Sequence, residues 1–328
     1  MKRILLTSTS LVLAAGFASA DVSFSGTAGI ALIDDNGASV AKAAVVGVVG
    51  TTTVAAVAPQ AAVLASTRDG MFYESYYDLD ITATAESDNG ISVKVGFDMG
   101  SGNKIDYDDD DKLEAQGNSI GDADVAVTYN GWTLTVDNAG LDNLFDDTDG
   151  AQDVKLSGTI AGWSVAVTSD ESASTSSYKL AGAVGGVSVT LTGTDNDDNG
   201  GDASKVAVSY PMGALTLSAS VEDESLASGG EDESTVGIKY AINDALTFSY
   251  TSIKPGTVAG KDSFGDEWDA KVSYSAAGVT ASFATDEADA TTVIAEYTLG
   301  GGATAFAAMH DKAGTASDLT AIGLNFAF

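Results

Sequence analysis

Short glycine-bearing turns and long acidic links alternate along this chain, and that alternation constrains the fold more than any single segment does. The short connections are Ser87-Asp88-Asn89-Gly90, Asn130-Gly131, Ala161-Gly162, Gly185-Gly186, Pro211-Met212-Gly213, Asn243-Asp244, Ala276-Ala277-Gly278 and Gly300-Gly301-Gly302. Each is of a kind that tolerates positive φ and joins two strands into a hairpin. Between them run Gly100 to Gly121, Asp137 to Asp153, Asp195 to Asp202, Val221 to Ser234 and Lys254 to Glu267, all longer and rich in acid. A sandwich of two sheets mixes loop lengths at both ends. Short turns at one end and long links at the other are the layout of a transmembrane barrel.

The segments between these connections alternate with a period of two. One row is apolar: Val125, Val127, Tyr129; Val187, Val189, Leu191; Leu246, Phe248, Tyr250; Trp268, Val272, Tyr274. The other is polar: Asp122, Asp124, Thr128; Ser188, Thr190, Thr192; Thr247, Ser249, Thr251; Asp269, Lys271, Ser273. The last segment, Leu319 to Phe328, puts Thr320, Ile322, Leu324, Phe326 and Phe328 in one row. Left open, such a strand is a template for aggregation, whereas pairing it with the first strand, Val22 to Ile33, closes a barrel and removes the edge. Eight turns give sixteen hairpin strands, and these two end strands raise the expected number to eighteen. A barrel of sixteen or eighteen strands encloses an aqueous channel rather than a packed interior.

The compartment follows from the first residues. Lys2 and Arg3, the apolar run Ile4 to Phe17 and the small residues Ala18-Ser19-Ala20 have the three-part pattern of a secretory signal, so residues 1–20 are expected to be removed and 21–328 to form the barrel. The chain has no Cys, so an exported protein of this size is expected to hold together without disulfides. With 47 acidic residues against 15 basic ones, a net charge of −32 repels nucleic-acid phosphates and excludes that partner. Past the signal there is no stretch of 18 or more strongly apolar residues, which excludes a helical membrane protein and leaves a transmembrane barrel or an exported all-β protein. Residues 38–69, rich in Ala, Val, Gly and Thr, read as a long first surface loop.

Two further patterns concern function. Tyr129, Trp132, Trp163, Tyr210, Tyr240, Tyr274 and Tyr297 all lie within a few residues of a short turn and in the apolar row, the arrangement of an aromatic girdle at a membrane interface. Lys94, Lys155, Lys179, Lys205, Lys239 and Lys271 all occupy the polar row, which in a barrel points them into the lumen. The last five precede their turns by similar distances and are expected to line an arc of wall near mid-membrane. The same lysines could instead solubilise one face of an exported acidic all-β surface or adhesin-like protein without a channel, and that alternative stays open at this point.

Signal, girdle, turn and loop asymmetry and terminal aromatic together resemble the general outer-membrane porins of alphaproteobacteria. The resemblance implies a barrel in the outer membrane of a Gram-negative bacterium, passive diffusion of small hydrophilic solutes and ions, a homotrimer in contact with outer-membrane lipid and lipopolysaccharide, and a C-terminal aromatic read by the insertion machinery. It favours sixteen strands. It also implies that the link after the fifth strand, here DNAGLDNLFDDTD, folds inward as a constriction loop, with Asp137, Asp142, Asp146, Asp147 and Asp149 facing the lysines and Leu141, Leu144 and Phe145 pinning it to the wall. This chain departs from the family in having Arg68 as its one arginine beyond the signal and in the shortness of that link.

Catalysis finds no motif: the one His, His310, reads as a strand-end residue, and no G-x-S-x-G, H-E-x-x-H or P-loop is present. No cofactor is expected. The acid runs Asp106 to Lys112 and Asp195 to Asp202, both placed on the surface, could bind Ca²⁺ weakly or bridge to lipopolysaccharide, though neither has EF-hand spacing.

Overall fold

The structure, a computed structural model, describes residues 21–34, 71–107, 113–117, 121, 123–145, 152–170, 174–196, 202–224, 232–254, 267–311 and 318–328. The signal segment and the segment 38–69 lie outside the described residues. Nineteen strands are found among them: β1 (Asp21–Asp34), β2 (Phe72–Glu86), β3 (Ser92–Ile105), β4 (Leu113–Ala115), β5 (Asp124–Tyr129), β6 (Trp132–Leu141), β7 (Gln152–Ile160), β8 (Trp163–Asp170), β9 (Thr175–Val184), β10 (Val187–Asn196), β11 (Ala203–Met212), β12 (Leu215–Glu224), β13 (Glu233–Ala241), β14 (Leu246–Lys254), β15 (Glu267–Ala276), β16 (Val279–Asp286), β17 (Thr291–Gly300), β18 (Ala303–Asp311) and β19 (Leu319–Ala327).

Eighteen of these, all but β4, form one antiparallel sheet in which each strand pairs with its neighbour in sequence and β19 pairs back onto β1. Ile30 lies opposite Leu324 and Leu32 opposite Ile322, and the backbones of Gly26 and Phe328 exchange two hydrogen bonds of 3.1 Å. The wall thus has no edge. In hydrocarbon that closure is decisive, because each unpaired backbone group there costs several kcal/mol.

The hairpins form because the turn residues can take left-handed backbone. Asn130 and Gly131 stand at φ 51° and 81°, and Ala161-Gly162, Gly185-Gly186 and Ala277-Gly278 have the same paired signs. Two consecutive positive φ values define the type I′ turn, whose twist matches that of the flanking strands.

The cross-strand register puts the apolar row outside. Phe24, Ile30, Tyr73, Leu134, Leu156, Val206, Val236, Phe283 and Ile322 are all exposed, Tyr73 to 79%. A sheet that presents this much contiguous apolar surface covers far more than the few hundred Å² common on soluble monomers. The apolar side chains therefore hold the fold only in an apolar solvent. The sandwich reading, in which they would meet a second sheet, does not describe this molecule.

The seven turn-side aromatics share that outer face. Tyr129 pairs with Trp132 beside its turn, and Tyr210, Tyr240, Tyr274 and Tyr297 are exposed near theirs. A second exposed set, Tyr73 and Tyr178, lies toward the loop end, together with the Trp268 ring stacked on Tyr250 at 6.2 Å. Dissolved in mild detergent and run unboiled on an SDS gel, the protein is expected to migrate as a compact species and to shift on boiling. Identical migration before and after heat would count against the closed wall.

Candidate functional site

The bore is the candidate site, and the register settles what faces it. All six lysines of the polar row lie on the inner face. Lys94 is opposite Thr84 and Ala126, Lys155 opposite Thr135 and Thr168, and Lys179 opposite Ala166 and Thr192. Thr192 also stands opposite Lys205, and Ser249 stands between Lys239 and Lys271. Their depths differ from the expected level row. Lys155, Lys179 and Lys271 lie five residues from the turn-side ends of their strands, but Lys205 lies seven and Lys239 two. At about 3.3 Å per residue and about 45° of tilt, that spread is about 12 Å of height. Lys205 also holds a partner, its Nζ 3.0 Å from Glu222 Oε2.

Opposite the lysines of β11, β13 and β15 is an acidic patch, shared with Lys94 on β3, that the sequence reading passed over. In β2 the inner row reads Glu74, Tyr76, Asp78, Asp80, and across from it Asp80 faces Asp98 of β3 while Thr27 of β1 faces Asp78. Asp124 of β5 continues the patch opposite Gly96. Around the closed ring β3 is diametrically opposite β13, so these carboxylates look across the bore at Lys205, Lys239 and Lys271. The signal was present in YYDLDITATAE, where the acids fall strictly out of phase with Tyr77, Leu79 and Ile81.

The link after the fifth wall strand enters the bore only in part of its described length. Asn143 and Leu144 are buried, the Leu144 amide donates to Ser177 Oγ at 2.8 Å, and Ser177 in turn shares a hydrogen bond with Thr168. Both hydroxyls are on the inner face, so Leu144 docks on the wall of β8 and β9. Leu141 and Phe145 are half-buried, Asp142 is exposed, and Asp137 continues the inner row of Thr133 and Thr135. Asp146, Asp147 and Asp149 lie outside the described residues.

Among the described residues, a second segment also crosses into the lumen. The link Gly100 to Gly121, expected to be an external loop, instead carries β3 beyond the wall: pairing with β2 ends at Gly102, and the chain then turns inward to pair with β4. Gly102 makes that turn at φ +95°, where a Cβ would strike the Ser75 backbone. Tyr107, placed on the surface by its acidic neighbours, is 6% exposed. Its ring stacks on Phe306 with centroids 4.6 Å apart, and Ile105 packs with it against Ala31, Ile33, Ile294, Ala308 and Ala321.

Every one of those wall residues is on the inner face of β1, β17, β18 or β19. The Tyr107 hydroxyl donates to Glu296 Oε1 at 3.0 Å and accepts from Asn325 Nδ2 at 3.2 Å. Thr280 Oγ1 donates to the other Glu296 oxygen at 2.9 Å. A chain of polar contacts thus ties the inward segment to β16, β17 and β19. Residues 108–112 of the acid run lie outside the described residues.

Chemically, the bore is lined by carboxylates and ammonium groups, with the acids densest on β2 and β3, Glu222, Asp269 and Asp286 set among the lysines of β11 to β15, and a pinned segment beside them. Among the described residues no group of three or more His, Asp or Glu is placed to hold a metal ion. His310 is near its strand end, as expected, and faces the lumen with Nδ1 2.7 Å from Thr292 Oγ1.

A closed antiparallel barrel with a polar bore is the class this fold defines. No protein-family model and no curated protein matches the sequence. Solved structures do match in fold. A double mutant of Rhodopseudomonas blastica porin aligns over 94% of this chain and 100% of that chain with a TM-score of 0.54 at 15% identity. A triple mutant of the same porin gives 0.53 at 16% with the same coverage. So does an engineered protein described for asymmetric conductivity, at 0.53 and 16%. At such identity the likeness is one of architecture.

Proposed function

We propose that this protein is a porin of a Gram-negative outer membrane, a water-filled channel for passive diffusion of small hydrophilic solutes and ions. The observation that carries the reading is the inverted wall: apolar side chains outside, charged and hydroxyl side chains lining a closed bore. Likeness in fold to the Rhodopseudomonas blastica porin supports it. Short turns then face the periplasm and long loops the exterior. The outer apolar face meets outer-membrane lipid and lipopolysaccharide, and assembly as a homotrimer goes with the same reading.

Ion preference follows from the bore's charge. Glu74, Asp78, Asp80, Asp98, Asp124, Glu222, Asp269, Asp286 and Glu296 outnumber the six wall lysines, and in a low-dielectric tube an excess of one sign concentrates its counter-ions. The channel is therefore cation-preferring. Planar-bilayer recordings under a KCl gradient test both statements. Stepwise conductance with a reversal potential on the cation side is expected. Changing Lys155, Lys179 and Lys205 together to Glu should move that potential further toward the cation limit, and an unchanged potential would remove the lysines from the conducting wall.

A further inference from the structure

Where the inward segment passes β15 to β18 it leaves a cavity of about 230 Å³ between Tyr107 and the wall. Lys271, Thr292 and His310 line it in one cross-strand row, and Asp269 and Asp286 line it one row nearer the loops, directly opposite each other. Asp286 is held in place: its Oδ1 accepts the amides of Ala288 and Ala290 at 2.9 Å, and Oδ2 has no bond among the described residues. Lys271 and Asp269 make no ion pair with each other or with any other described residue, although they are two positions apart on one face.

We propose that this cavity is a binding site for a small zwitterion bearing a primary ammonium and a carboxylate, such as an α-amino acid, in transit through the bore. The inference rests on the channel reading and adds a solute class to it. Two residues of rise set Asp269 and Lys271 about 7 Å apart along β15. That spacing suits a solute whose opposite charges are a few bonds apart, its ammonium between Asp269 and Asp286 Oδ2 and its carboxylate on Lys271. An exposed Asp and Lys gain on the order of 1 kcal/mol or less by closing on each other, so little is lost when a solute separates them. Tyr107 lines the same cavity, whose volume of about 230 Å³ suits a molecule of amino-acid size.

The test uses the full chain in planar bilayers with L-alanine as probe, each variant's block measured against its own open-channel current. Alanine is expected to reduce the current saturably. Asp269→Asn and Lys271→Met should each weaken that block about tenfold, the loss of one hydrogen bond to a charged group. Glycerol, acetate and ethylamine, which lack one or both charges, should show no saturable block. Block by alanine that is linear in concentration, unchanged in both variants or matched by glycerol would overturn the site. Equilibrium binding of labelled alanine to the detergent-solubilised protein separates the two claims. Saturable binding without conductance overturns the channel alone, and conductance without saturable binding overturns the site alone. Heat-shifted gel migration verifies that the variants fold.

Discussion

Replacing Tyr107 by alanine is expected to raise the single-channel conductance and to add slow current fluctuations. The inward segment is held by one aromatic stack on Phe306, by hydrogen bonds to Glu296 and Asn325, and by Ile105 against Ala31 and Ile33. Removing a buried aromatic costs about 3–5 kcal/mol, and here almost none of that loss falls on the wall, whose backbone ladders are untouched. The loss falls on docking. Since about 1.4 kcal/mol is a factor of ten, the equilibrium constant for docking drops by two decades or more.

Tyr107→Phe keeps the stack and forfeits only the hydroxyl's bonds, so it should lie between wild type and alanine. Unboiled gel migration should stay the same for both. Wild-type conductance in Tyr107→Ala would mean that the segment remains seated without its ring or stands outside the ion path.

That inward segment also shows where the sequence could be read and where it could not. The closing strand, the hairpin turns and the number of wall strands were legible because each depends on local rules: a period of two, a left-handed residue pair, an edge that must be paired. The inner placement of the six lysines follows from the same parity. What a single strand cannot show is which inner residues meet another segment. Phe306 is the clue in hindsight, an aromatic in the row that should be polar, with Ala31, Ile33, Ile294 and Ala321 as its apolar company from three other strands.

A side chain of that kind on an inner face needs cover. The cover comes from Ile105, Tyr107 and Leu113, the few apolar residues within an acid-rich link. The link after the third wall strand is drawn inward by long-range contacts that no local pattern shows, whereas the resemblance pointed to the link after the fifth. In the described part of that later link, Leu144 does reach the wall. The acidic arc was missed for another reason. Attention to loop aspartates passed over Asp78, Asp80 and Asp98, which lie in strands and become neighbours only through the β2 to β3 register.

Neutralising Asp78, Asp80 and Asp98 together to Asn is expected to remove most of the cation preference in dilute salt. These three sit on adjacent strands, with Asp80 directly opposite Asp98, so their fields add at one level of the bore. A unit charge about 7 Å away is worth about 0.6 kcal/mol even at the dielectric of bulk water, and three approach 2 kcal/mol, enough to change the local cation excess by about tenfold. Asn keeps the shape of Asp and relieves repulsion between facing carboxylates, so folding should not suffer. Screening supplies the sharper test. The Debye length is about 10 Å at 0.1 M and about 3 Å at 1 M, so wild type and triple variant should differ strongly in reversal potential at 0.1 M KCl and converge near 1 M. A difference that persists at 1 M would point to an altered bore shape rather than to the lost charges, and no difference at 0.1 M would place this arc away from the path the ions take.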